Sequence, residues 1–196
     1  MLHAGVMAPL PAAELPPPRE PGAPYLVCLV CLGNICRSPM AETVLRAALA
    51  SAGLDGQVIV DSAGTGDWHI GHQMNSGARA ALTRRGYDGS AHRARQFDSS
   101  WLPRRDLILA MDSRNLADLR RMAGPSERDR IRLFGEVGNV GDVAGLGGAA
   151  DRDIPDPYGG DAAEFGYVLD LLTGAAPVIA ARLAQLLEPS ASEPPV

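Results

Sequence analysis

Cys31-Leu32-Gly33-Asn34-Ile35-Cys36-Arg37-Ser38 stands between the continuous apolar run Tyr25–Val30 and a helical pattern that begins at Pro39. The run suits a buried parallel strand, so the loop must turn a strand into a helix within a few residues. Gly33 permits a tight turn and Asn34 tolerates a left-handed backbone, which lets the loop's amides converge as the helix opens. Convergent N–H groups at a helix N-terminus attract an anion, and an arginine adds a bidentate fork that matches phosphate. Five residues separate Cys31 from Arg37. A thiol at the mouth of such a loop lies in an electropositive site that favours the thiolate, and hence nucleophilic attack.

Outward from the loop, strands and helices alternate. Ser38 and Pro39 read as N-cap and first helical residue, Met40, Val44, Leu45, Ala48 and Leu49 recur at helical spacing, and Gly53 ends the pattern. Val58–Val60, Leu107–Met111 and Ile131–Phe134 read as further short strands. Helices are expected from about Asn75 to Arg85 and from Asp112 to Gly124. Asp161 and Glu164 make a capping-box start for a last helix with Phe165, Val168, Leu169, Leu172, Ile179, Leu183 and Leu186 on one face and a kink at Pro177. The pattern predicts an α/β fold: an open parallel four-stranded sheet with helices on both faces and a phosphate-binding loop after the first strand. Ligands of such sheets sit beyond the carboxyl ends of the strands, which is where the Cys31–Ser38 loop falls.

The 196 residues suffice for one domain, expected over 25–188. Residues 1–24 hold 7 of the 16 prolines and read, with 189–196, as disordered tails; 138–150 reads as a glycine-rich mobile loop. No apolar stretch is expected to span a bilayer, and the N-terminus does not read as a secretory signal. All 18 basic residues are arginine, and charge is uneven: residues 79–132 balance at +6 (13 Arg, 7 Asp/Glu), residues 133–196 at −8 (2 Arg, 10 Asp/Glu). Most of these charges read as solvated helix faces. Cys28, Cys31 and Cys36, an odd number in one short stretch, make a poor disulfide framework and lack the spacing of a zinc site. A cytoplasmic protein with a working thiol fits better.

Alone, Cys31 would read as a small buried residue; the loop around it favours the nucleophile. Cys28, inside the strand, reads as core, and Cys36 is placed to meet Cys31 in a reversible disulfide. An arginine at a helix start opposes the helix dipole, and a bound dianion would reverse that sign. Ser38 serves as N-cap, with or without a hydrogen bond from its hydroxyl to the thiolate. Asp156, between Pro155 and Pro157, would pass for a turn aspartate without the upstream loop.

The stretch from Val30 to Glu42 resembles the signature of the low-molecular-weight protein tyrosine phosphatases. Three later segments match that family in order: Asp61-Ser62-Ala63-Gly64-Thr65-Gly66-Asp67-Trp68-His69, His92-Arg93-Ala94-Arg95-Gln96 and Asp156-Pro157-Tyr158-Gly159. The resemblance covers roughly Tyr25 to Leu187. It implies a hydrolase acting on tyrosine-phosphorylated proteins, with no cofactor or metal and no nucleic-acid or membrane partner. Cys31 would attack phosphorus and form a cysteinyl-phosphate. Arg37 and the amides of Leu32, Gly33, Asn34, Ile35, Cys36, Arg37 and Ser38 would hold its oxygens. Asp156 would protonate the leaving phenolate, then deprotonate water. Trp68 and Tyr158 would wall a slit deep enough for a phosphoaryl group, and Ser62, Asn34 and His92 would brace the loop; His69 and His72 receive no role. The family often places two aromatics after Asp-Pro, whereas Gly159 follows Tyr158 here. A thiol-dependent arsenate reductase shares this anion loop but needs further cysteines downstream, and none follows Cys36. An inactive phosphate-binding regulatory module would have no need of Cys31, Arg37 and Asp156 together.

Overall fold

The computed structural model describes residues 14–143 and 152–188. In chain order the elements are β1 (Tyr25–Cys31), α1 (Arg37–Ser51), β2 (Val58–Gly64), α2 (Ser76–Arg84), a 3-10 turn (Ser99–Arg104), β3 (Leu107–Ala110), α3 (Ser113–Met122) and α4 (Pro125–Arg128). β4 (Ile131–Leu133), α5 (Phe134–Val137), α6 (Val140–Val143) and α7 (Ala162–Leu187) complete it. The strands form one open parallel sheet in the order β2-β1-β3-β4.

Alternation along β1 divides the interior into two cores. Tyr25, Val27, Leu29 and Cys31 pack with α1, α2 and α7 on one face; Cys28 and Val30 pack with Phe97, Leu102 and Leu119 on the other. Because all strands run parallel, their carboxyl ends open onto one edge, where the loops after β1, β2 and β3 meet.

β2 outruns its expected end at Val60 and pairs with β1 as far as Cys31↔Gly64. Its polar half hid it: Asp61 is accommodated in a strand because the Arg105 and Arg95 guanidinium groups pair with it. α1 starts at Arg37 with Cys36 in the cap position, so Ser38 is not the N-cap; it lies buried in the first turn with its hydroxyl turned toward Cys31 and Asn34. The chain from Glu14 to Pro24 corrects the expected tail, since Leu15 packs on the core and Tyr25 Oη donates to Pro16 O at 2.8 Å. Arg19 N donates to the buried Asp106 at 2.7 Å and Arg130 Nη1 to Pro17 O at 2.9 Å, so the prolines form a fixed strap. Residues 1–13, 151 and 189–196 lie outside the described residues, as do 144–150 of the expected glycine-rich loop, whose earlier part winds into α6.

α7 runs through Pro177 as one helix, its N-terminus capped by Asp161, whose Oδ1 accepts from Ala163 N (2.8 Å) and Glu164 N (3.1 Å). By length and composition it could cross a membrane, contrary to the expectation that no stretch could. Its apolar face, Phe165, Leu169, Leu172, Ile179 and Leu183, is instead buried in the core beneath α1.

Candidate active site

The loop from Cys31 to Ser38 is built by holding its carbonyls outward. Thr65 N donates to Cys31 O (2.9 Å), Gly66 N to Leu32 O (2.9 Å), Asn75 N to Ile35 O (2.8 Å) and Met40 N to Cys36 O (3.1 Å). His92 Nε2 binds Asn34 O at 2.7 Å, and a carbonyl only accepts, so that nitrogen carries the proton. In a trans peptide the N–H points opposite the preceding C=O. The amides of Leu32, Gly33, Ile35 and Cys36 therefore face the hollow of the loop, and Asn34 N reaches Cys31 Sγ at 3.3 Å. This nest of N–H groups is an anion cradle.

Asn34 makes the turn with φ of +53°, the left-handed region that asparagine tolerates. Its buried side chain braces the loop from behind: Nδ2 donates to Ser38 Oγ and Ser62 Oγ, both at 2.9 Å, and Oδ1 accepts from Arg95 N at 2.8 Å. Ser38 Oγ lies 3.1 Å from Cys31 Sγ and 3.2 Å from Ala63 O. The hydroxyl has one proton and two acceptors, and a thiolate at Cys31 is the stronger claim on it.

Arg37 is 3% exposed at the start of α1, where a cation opposes the helix dipole. Two carboxylates offset this. Nη1 donates to Asp112 Oδ2 at 2.5 Å and to Ile154 O at 3.1 Å, and Nη2 to Asp156 Oδ2 at 2.8 Å. Nε is buried with no partner among the described residues, which leaves a donor for a ligand. Asp112 was read from the sequence only as a helix start. It does cap α3, Oδ1 accepting from Asn115 N at 2.7 Å, while its other oxygen orients Arg37. Its position directly after β3, at the carboxyl edge of the sheet, is the signal that could have found it.

Above the cradle lies a slit of about 110 Å³, lined by the loop, Arg37, Asp156, Trp68, His69 and Tyr158. Trp68 and Tyr158 are 66% and 62% exposed, so they are walls and not core. Trp68 lies on Gly66, where an added Cβ would meet its ring at 1.8 Å; glycine is required for that approach. His69, given no role from sequence, packs against Gly33 and stands 6.2 Å from the Tyr158 ring. Being next to Trp68 in one loop was its only signal. Among the described residues His72 reaches the site through His69, their Nδ1 atoms 3.3 Å apart.

The three cysteines are free and buried. Burial, then the neighbouring Cys31 and Asp156, push the Cys36 thiol up to about 12, with Arg37 pulling it down. Cys36 is thus a protonated thiol beside the nucleophile. Burial raises Cys28 as well, with Asp61 beside it, as expected of a core residue. Burial lowers the pKa of His92, its bond to Asn34 opposing, so the imidazole is held neutral. Cys31, Arg37, Ser38, Asn34, Ser62, His92, Trp68, Tyr158 and Asp156 thus converge from four parts of the chain on one edge of the sheet.

The family model of the low-molecular-weight phosphotyrosine protein phosphatases matches residues 26–188. The chain belongs to this family. It is 45% identical over 166 residues to the low-molecular-weight protein-tyrosine-phosphatase of Streptomyces coelicolor, covering 84% of this chain and 96% of that protein. Over 132 residues it is 42% identical to YfkJ of Bacillus subtilis, covering 67% and 80%. Among solved structures, the tyrosine phosphatase of Entamoeba histolytica superposes with a TM-score of 0.73 at 31% identity, over 82% of this chain and 97% of that one. The YfkJ structure gives 0.69 at 36% identity, over 85% and 99%. The chain is thus a phosphotyrosine protein phosphatase, a hydrolase that works with a cysteine nucleophile.

Proposed function

We propose that Cys31, Arg37 and Asp156 carry this hydrolysis, in a cytoplasmic enzyme that uses neither nucleic acid nor membrane as partner. The observation that carries the assignment is the cradle: outward carbonyls, inward amides and Cys31 Sγ hydrogen-bonded at its centre. The phosphate dianion takes the place of Asp156 on Arg37, its oxygens held by the loop amides and the guanidinium, Nε included, while Asp112 stays on Nη1. Phosphoryl transfer rests mainly on such positioning and charge stabilisation. Cys31 Sγ attacks phosphorus as the bond to the tyrosine oxygen breaks. Asp156, whose side chain is 41% exposed, stands at the slit and delivers the proton to that oxygen. It then takes a proton from the water that cleaves the S–P bond, and Cys31 leaves as thiolate with Ser38 Oγ donating to it. Trp68 and Tyr158 hold the aryl ring, and Asp112 is a positioning residue for Arg37. Ser62, Asn34 and His92 brace the loop.

The experiment is phosphate release from matched phosphotyrosine and phosphoserine peptides. Turnover of the first alone, abolished in Cys31→Ser and blocked by vanadate, is the expected result. Unchanged turnover by Cys31→Ser would remove Cys31 from the role. Iodoacetate should inactivate the wild type, and inorganic phosphate should protect it.

A further inference from the structure

Beside the slit lies a second hollow of about 350 Å³, between the acid loop and the first two turns of α7. Pro157 and Val168 are its buried floor, and Pro155, Ala163 and the ring of Tyr167 its exposed walls. Among the described residues only Asp156 and Glu164 bring an acidic group to it, and Asp156 is paired with Arg37. Tyr167 is 47% exposed, and the reading of the catalytic site gives it no part. A large aromatic left half in water beside two prolines makes an apolar recess of the kind that takes a side chain.

We propose that this groove is a subsite for the substrate protein, taking an uncharged apolar side chain close in sequence to the phosphotyrosine and excluding an acidic one. The inference rests on the phosphatase reading above. Its occupant follows from continuity with the slit. Asp156 borders both hollows; Tyr158 lines the slit, and Pro155 and Pro157 line the groove. The acid loop is thus the ridge between them, and a peptide whose phosphotyrosine enters the slit lies against that ridge. An extended chain advances roughly 3.3 Å per residue, so a side chain two or three positions away travels the width of such a loop. Glu164 supplies the discrimination: a carboxylate entering beside it would meet like charge and lose hydration against the apolar floor, whereas a leucine or methionine would not; Asp156, which carries the proton when substrate is bound, adds none. The net charge of −8 over residues 133–196 acts in the same direction.

The test is kcat/KM on a phosphotyrosine peptide series carrying Leu, Ser or Glu at each position from three before to three after the phosphotyrosine. Each value is divided by the same enzyme's kcat/KM for p-nitrophenyl phosphate, which has no flanking residues. At one position on one side, Leu is expected to exceed Ser by about tenfold and Glu by more, the scale of discrimination an apolar pocket supplies. Tyr167→Ser and Ala163→Glu, one emptying and one charging the groove, should each bring the Leu/Ser ratio at that position close to one. If the ratio is flat at every position in the wild type, or if both variants keep the preference, the subsite is overturned while the phosphatase reading stands. If the wild type hydrolyses neither the peptides nor p-nitrophenyl phosphate, the phosphatase reading itself fails.

Discussion

The anion loop and the acid loop meet at Arg37 and are built in opposite ways. From Cys31 to Ser38 six of the eight residues are buried, and four of the carbonyls are held outward by partners distant in sequence, with a fifth, Cys36 O, held by Met40 N of α1. Residues 155–160, apart from Pro157, are largely exposed. Among the described residues Asp156 is held only by Arg37 and by Tyr158 N at 3.2 Å, and Gly160 N closes a turn on Pro157 O at 3.0 Å. The nucleophile and the phosphate occupy the same positions for every substrate, so their hydrogen bonds are worth fixing in advance. The proton donor must follow leaving groups that differ, and a lightly held loop at the rim serves that.

Arg37→Lys gives the largest effect short of losing the nucleophile. A lysine keeps the charge but cannot bind Asp112 and two phosphate oxygens in one plane, so kcat should fall by about 10²- to 10³-fold. A loss below tenfold, measured at saturating p-nitrophenyl phosphate, would mean that the amides alone do the anchoring.

Asp156→Asn sharpens the contrast at its other pole. With alkyl-substituted phenyl phosphates, which are poor leaving groups, kcat should fall by about 10²-fold, and with p-nitrophenyl phosphate by far less. Equal losses across the series would contradict the acid's role. Folding stability should scarcely change, because the loop hangs on so few contacts.

The converse holds behind the anion loop. Asn34→Ala strands Ser62 Oγ and Arg95 N and puts alanine at φ +53°. It should cost about 2–3 kcal/mol in urea unfolding. Asn34→Gly removes the same hydrogen bonds without the backbone strain and should be the less destabilised of the two. If neither loses stability, the brace is ornamental.

The smallest effect concerns pH. His92 is held neutral, its folded pKa lying below the ordinary 6.5. The unfolded chain therefore binds more protons as pH falls through 6.5, and stability must decline there until the folded pKa is reached. His92→Gln, which keeps an N–H toward Asn34 O but cannot titrate, should lose part of that acid-side slope while remaining nearly as stable at pH 8.

How much of this was legible follows the same division. The sheet could be read because Tyr25–Val30 and Leu107–Met111 are apolar without interruption, as strands covered on both faces must be. The cradle could be read because its amides are placed by Gly33, Asn34 and the helix start, all local. β2 reads as ending before Asp61, whose charge is tolerated through Arg105 and Arg95, both distant in sequence. Residues 14–24 have the composition of a loose tail, yet Arg19 and the Tyr25 hydroxyl fix them to groups no local pattern reveals. Asp112 and His69 escaped notice because each looks complete by itself, one as a helix cap, the other as a loop histidine. Only the packing of β3 and of Gly33 brings them to the slit.

The measurement that bears most directly on the account is the chemical identity of the covalent intermediate. Asp156→Ala, turned over with p-nitrophenyl phosphate and quenched in acid, should accumulate a phosphorylated enzyme, since formation needs little help with so good a leaving group but hydrolysis lacks its base. Fragmentation mass spectrometry that separates Cys31 from Cys36 should place the phosphoryl group on Cys31 alone. A phosphoryl group on Cys36 or on any other residue, with steady turnover continuing, would contradict the account.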